Sequence, residues 1–235
     1  MYMARALVDK IPKYGTIIVI YKKIINHSLF YPLQEYNVAK IGMNLIIELR
    51  ERTGVGMMDC KKALEETNGN IEQAIEILRK KGTAVALKRA DKQTSEGLVH
   101  AYIHPGSRVG VLVEINCETD FVANTNDIKQ FAHDICMHIA ALKPLYLSPD
   151  EVDVKFIEHE KNILREQLAG SGKPEKIVDQ ILEGKIQKLY TEICLLKQAF
   201  VKNDQLTVDD VLKELIAKTG ENIKIKRFAR YEIGA

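Results

Sequence analysis

Tryptophan is absent from this 235-residue chain and aromatics make up only 6 % of it, which leaves little surface for stacking nucleic-acid bases. No charge of one sign prevails either. The 34 Lys and Arg stand against 32 Asp and Glu and are interleaved with them, so there is no basic footprint for a polyanion. Cysteine is sparse: Cys60, Cys117, Cys136 and Cys194 lie far apart with no CxxC pair, which argues against a zinc ribbon. Three of the four fall on apolar stripes, where a free thiol behaves as a small hydrophobe, and a reducing cytosol is the plain reading. The signatures of catalysis are missing as well, with no GxSxG elbow, no GxxxxGK(S/T) phosphate loop and no HExxH pair. No cofactor and no covalent chemistry are expected.

A long hydrophobic run is also lacking. The most apolar stretch, GTIIVIYKKII, is interrupted by Lys22 and Lys23 well before the roughly 20 residues of a membrane span. It belongs to a segment, residues 1–42, that stands apart from the rest. Arg5, Lys10, Lys13, Lys22, Lys23 and Lys40 outweigh Asp9 and Glu35 there, a bias shared with organelle transit segments, but the stretch is poor in Ser and Arg. The plainer expectation is translation from Met43 and a cytoplasmic protein; an organellar location follows only if residues 1–42 are a transit segment.

From Met43 onward the pattern sharpens. Leu45, Ile46 and Leu49 begin an amphipathic helix that TGVG stops. Met57, Cys60 and Leu64 mark a second, ended by NGN. Asn70 caps a third whose stripe is Ile71, Ala74, Ile75 and Leu78, with Gly82 as its expected stop. Residues 43–82 thus form a three-helix module, and residues 83–96, mixed and polar, a linker with partial helical character.

Residues 97–235 read as an α+β domain. There the period changes from 3.6 to 2, as Val99, Ala101 and Ile103 alternate with His100, Tyr102 and His104. HPGSR then turns the chain into a second alternating run, Val109 to Cys117, making a β-hairpin. A helical stripe follows from Ile128 to Leu142. A long helical hairpin is expected at about residues 150–200, reversing at AGSGKP and returning on the seam Leu182, Ile186, Leu189, Ile193, Leu196 and Phe200. A capped helix from Thr207 to Thr219 and a last strand from Asn222 to Ile233 complete a small antiparallel sheet backed by helices.

Candidate sites are few. His100 and His104 share a strand face without a third ligand, whereas His133 and His138, five apart on a helix, point to different faces. No metal site is expected. Glu114, Glu118 and Asp120 are acidic neighbours without a pocket. In RTGVGMMDC a flexible glycine turn leads to Met57 and Met58 beside Arg52, a combination suited to a partner surface. Only one of two adjacent methionines can face the core well. In NCETDFVANTND, Thr119 or Asp120 can accept from backbone N–H groups and stiffen the turn leaving the strand. Phe121 and Val122 would then sit at a set angle, with the ring either in the protein's own core or presented to something else.

The stretches LRERTGVGMMDCKKALEETNGNIEQAIEILRKKG and GVLVEINCETDFVAN, with MHIAALKP and EGKIQKLY behind them, resemble the translation elongation factor Ts family from Met43 onward. That resemblance implies a nucleotide exchange factor for the GTPase elongation factor Tu and a ubiquitin-associated-like N-terminal module. It further implies that Thr119, Asp120, Phe121 and Val122 form the loop whose ring wedges in near the magnesium and phosphates of Tu. Asp120 would set that loop, and Met57 and Met58 would join the first contact. A single hairpin and a single TDFV resemble the short form of the family, which implies a homodimer. No direct nucleic-acid or membrane contact is expected. A reading from another class is a peptide-binding adaptor built on the helical module, which a spread of captured partners, rather than one GTPase, would distinguish.

Overall fold

The computed structural model describes residues 41–168 and 174–234, so the readings made for residues 1–40 and for the reversal at 169–173 lie outside the described residues. Within them, the fold begins with three helices: α1 (Met43–Thr53), α2 (Met57–Glu66) and α3 (Ile71–Arg89). Two of the boundaries have a plain local cause. Gly54 takes the left-handed conformation, φ 68°, and its N–H bonds the Arg50 carbonyl to close α1. The Asn70 side chain accepts from the Gln73 N–H at 3.1 Å to open α3. Between them, Ile46, Leu49, Cys60, Ala63, Leu64, Ala74 and Leu78 form a small buried core.

One expectation is corrected here. Gly82 does not stop α3, which runs on to Arg89 through most of the segment expected to be a linker. A glycine that stops a helix does so in the left-handed conformation, and Gly82 is instead helical and buried. Its missing side chain lets α8 (Val208–Thr219) approach, since a Cβ at Gly82 would lie 3.1 Å from Ala217 Cβ. An Arg79–Glu214 ion pair at 3.1 Å reinforces the same crossing. The third helix is therefore both a member of the N-terminal bundle and the strut that packs it on the rest.

The sheet has the order β1 (Glu96–Ile103), β2 (Val109–Cys117), β5 (Ile223–Glu232), antiparallel throughout. Opposite Glu114 and Ile115, β5 carries an extra residue, Lys226, a bulge that bends the strand. Gly97 is required where β1 meets β2, because a Cβ there would collide with the Ile115 carbonyl oxygen. The inner face of the sheet (Val111, Val113, Ile115, Cys117, Ile223, Ile225) is covered by α5 (Asn126–Leu142) and α8. Thr207 opens α8 with a capping box shared with Asp210.

The alternation in β1 resolves against hydropathy. Tyr102 packs half-buried on the core and His100 lies half-buried on the same side, while Val99 and Ile103 point outward, 69 % and 63 % exposed. The pairing Ala101 with Leu112 and Leu112 with Ala229 continues this outward face across all three strands, to Tyr231 beside Gly110. One side of the sheet is thus an open apolar surface, edged by the Glu114–Arg227 ion pair at 2.6 Å.

The helical hairpin comprises α6 (Val154–Leu168) and α7 (Glu175–Ile193), whose Ile157, Leu164, Ile186, Leu189 and Ile193 cluster with Val152 and Cys194. The seam is shorter than expected at its far end. Cys194 turns extended and leads into a 3-10 turn, Leu195–Lys197, and Phe200 belongs to a short strand, β3 (Ala199–Phe200), that pairs with β4 (Asn203–Thr207). The cause is Gln198. Its buried amide donates to the Glu192 carbonyl at 2.7 Å and receives His138 at 2.9 Å, contacts that need the chain out of helical register. Leu196 and Phe200 accordingly pack with the main core rather than the hairpin.

Candidate functional site

The strand β2 ends at Cys117 and the chain enters TDFV. Thr119 is extended, φ −128° and ψ 155°, and its hydroxyl oxygen accepts from the Val122 N–H at 3.4 Å, capping a single helical turn, α4 (Asp120–Ala123). Thr125 repeats the device at the start of α5, where its hydroxyl donates to the Val122 carbonyl at 2.8 Å and accepts from Ile128 N–H. The turn is therefore closed at both ends. One helical turn cannot bury every side. Ala123 is buried and Val122 packs on the main core, which leaves Phe121 on the opposite side, 83 % exposed.

Of the two candidates for stiffening this turn, the Thr119 hydroxyl takes the role. The Asp120 carboxylate has no hydrogen-bond partner among the described residues; it stands free at the first position of the turn, while the Asp120 carbonyl accepts from Asn124 at 2.9 Å. Two further residues complete the support. Glu221 accepts from the Thr119 N–H at 3.0 Å and from its hydroxyl at 2.7 Å. Glu118 accepts from the Asn222 N–H at 2.6 Å and pairs with Arg89 at 3.2 Å. Neither partner is legible locally, because Glu221 and Asn222 are about a hundred residues away and meet the loop only through the β2–β5 pairing.

In the N-terminal bundle, Met57 and Met58 are the first residues of α2. Met57 packs against the small core, and Met58 is 64 % exposed. Met43 and Ile47 on α1 are exposed too, and Arg52 is held to Glu72 at 3.0 Å. The two adjacent methionines thus divide between anchoring and presentation.

The strand histidines are engaged within the fold. His100 Nε2 meets His133 Nδ1 at 3.4 Å and His104 Nδ1 meets the Tyr102 hydroxyl at 3.1 Å, so the two strand histidines have separate partners. Among the described residues no three His, Cys, Asp or Glu converge to hold a metal, and no helix is long and apolar enough to cross a membrane. All four thiols are free and buried, and burial pushes that of Cys136 up to about 12, far from a reactive thiolate.

Comparison with known proteins agrees with this arrangement. The family model described as Elongation factor TS matches residues 46–235. The chain is 57 % identical over 194 residues to elongation factor Ts of Carboxydothermus hydrogenoformans, covering 83 % of this chain and 89 % of that protein. It is 56 % identical over 197 residues to that of Desulfitobacterium hafniense, covering 84 % and 91 %. With Caldanaerobacter subterraneus elongation factor Ts it shares 56 % over 194 residues, covering 83 % and 97 %. The chain belongs to the elongation factor Ts family, whose members are translation elongation factors and not enzymes.

Proposed function

We propose that this protein is the guanine-nucleotide exchange factor of elongation factor Tu, acting in the cytoplasm as a homodimer. In this reading Phe121, flanked by Thr119, Asp120 and Val122, enters Tu near its magnesium and nucleotide phosphates. The bundle face around Met58, with Met57 and Arg52 behind it, makes the first contact. The observation that carries the proposal is the ring of Phe121, exposed on a turn that is capped at both ends and anchored by Val122 and Ala123. A loose loop would lose much of the binding energy in ordering the ring; a rigid one presents it ready.

Magnitudes set what else is needed. Raising GDP release roughly a thousandfold means lowering a barrier by about 4 kcal/mol. Burying one phenylalanine side chain contributes about 1.5–3 kcal/mol. The wedge is therefore necessary in this mechanism but insufficient, and a second patch such as the methionine face must help hold nucleotide-free Tu. The coupling is reciprocal, so whatever the factor does to GDP affinity, GDP does to the factor's own affinity.

The test is GDP release from Tu at saturating factor, wild type against Phe121→Ala. The expected loss is roughly tenfold to a hundredfold, the rate equivalent of the burial forgone. Equal rates would remove the wedge from the mechanism.

A further inference from the structure

We propose that Glu221 is a positioning residue for Phe121, and that the Glu118–Arg89–Asn222 contacts beside it tie the wedge to the third helix of the N-terminal bundle. The proposal rests on the exchange reading above and adds the part of the chain that aims the ring.

The geometry is reciprocal. From the loop after α8, the Glu221 carboxylate reaches across to the residue before the wedge turn. It takes both donors of Thr119, the backbone N–H at 3.0 Å and the hydroxyl at 2.7 Å. That hydroxyl also caps the turn through Val122 N–H, so committing its proton to Glu221 orients the lone pair that the cap uses. In the other direction Glu118, on the wedge side, takes the Asn222 N–H at 2.6 Å. Two adjacent residues on each strand end thus hold one another, and no rotation of the TDFV turn about its base preserves all three bonds.

The clasp extends to the bundle. Arg89, the last residue of α3, pairs with Glu118, and the buried Asn222 side chain donates to the Ala90 and Lys92 carbonyls at 3.3 and 2.8 Å. The helix that carries the N-terminal module therefore ends on Glu118 and Asn222, the residues next to the Thr119–Glu221 pair that holds the wedge. The orientation of Phe121 and that of the module are set at one junction, which a two-patch contact on a single partner requires.

A role in aiming differs from a role in folding by its kinetic signature. Glu221→Ala, together with the isosteric Glu221→Gln that keeps one acceptor, is measured in stimulated GDP release from Tu as a function of factor concentration. The maximal rate is expected to fall roughly tenfold in Glu221→Ala, for loss of charged hydrogen bonds, with the half-saturating concentration nearly unchanged. Glu221→Gln should fall between. In the Phe121→Ala background the same change should have no further effect, because its influence passes through the ring. A full additive loss in that background, or a maximal rate that Glu221→Gln and Glu221→Ala leave at the wild-type value while Phe121→Ala slows it, overturns the positioning role alone. An unchanged rate in Phe121→Ala itself overturns the exchange reading and this inference with it. Amide hydrogen exchange at Thr119 supplies the readout independent of Tu: protection should drop in Glu221→Ala while that of the β2 strand stays, and loss across the whole sheet would mark a merely structural residue and overturn the proposal.

Discussion

At Phe121 the free protein forgoes the burial its most apolar loop residue could have had, and the neighbours show that this is enforced. Val122 and Ala123 take the only inward places on the turn, and the caps at Thr119 and Thr125 prevent the rotation that would bring the ring inside. The opposite choice is made at His138, a polar residue sealed in the core. Its Nδ1 accepts from the Val201 N–H at 3.2 Å, so Nε2 carries the proton and donates to Gln198 Oε1 at 2.9 Å. Burial holds its pKa below the ordinary value, more strongly than the Gln198 hydrogen bond raises it. A depressed folded pKa means that the unfolded chain binds the proton more readily, so the contribution to stability is complete above about pH 6.5 and is lost as pH falls from there through the lower folded value. Urea unfolding between pH 7.5 and 5 should accordingly show a shallower acid decline in His138→Gln than in wild type. Part of the slope should survive in the variant, because burial and His133 depress His100 as well.

At the scale of elements, α3 decides how the two cores are joined. A glycine in mid-helix costs about 1 kcal/mol of helix propensity relative to alanine, so on local grounds any replacement of Gly82 with a good helix former should stabilise α3. The crossing with α8 reverses that sign. A Cβ alone would already come within 3.1 Å of Ala217 Cβ, and longer side chains must push the helices apart and strain the Arg79–Glu214 pair. Overpacking of this kind costs about 1–3 kcal/mol, which matches the helix gain at its low end and outweighs it over the rest of the range. Gly82→Leu is expected to lower the thermal unfolding midpoint, and a raised midpoint would mean that the crossing is loose enough to yield.

Across the whole molecule, the least accounted-for feature of a monomer is the outer face of the sheet. Val99, Ile103, Leu112 and Tyr231 are all exposed on the same face of the sheet, with Ala101 and Ala229 directly beside Leu112. Contiguous exposed apolar surface of this kind marks a protein contact, and sheets commonly pack face to face. This is the face on which we place the proposed homodimer contact. Leu112→Glu, at the centre of the face and away from the core, should shift the protein from dimer to monomer in sedimentation equilibrium while its circular dichroism stays that of the wild type; an unchanged mass would place the contact elsewhere.

How much of this could be read from the chain alone follows from the range of the forces involved. Caps, glycine turns and period are short-range effects, so Asn70, Gly54, the hairpin at HPGSR and the Thr207 cap stood in the residues as written, and TDFV with the paired methionines was legible as a motif. Gly82 misled because a glycine that ends a helix and one that admits a neighbouring helix look alike until the neighbour is in place. The seam past Ile193 misled for a like reason, as apolar spacing continued while a buried Gln198 redirected the backbone. The outward turn of Val99 and Ile103, the exposure of Phe121 and the bonding of Thr119 to Glu221 were settled by burial and by hydrogen bonds between residues remote in sequence. Those depend on which surfaces meet, and no local pattern carries that information.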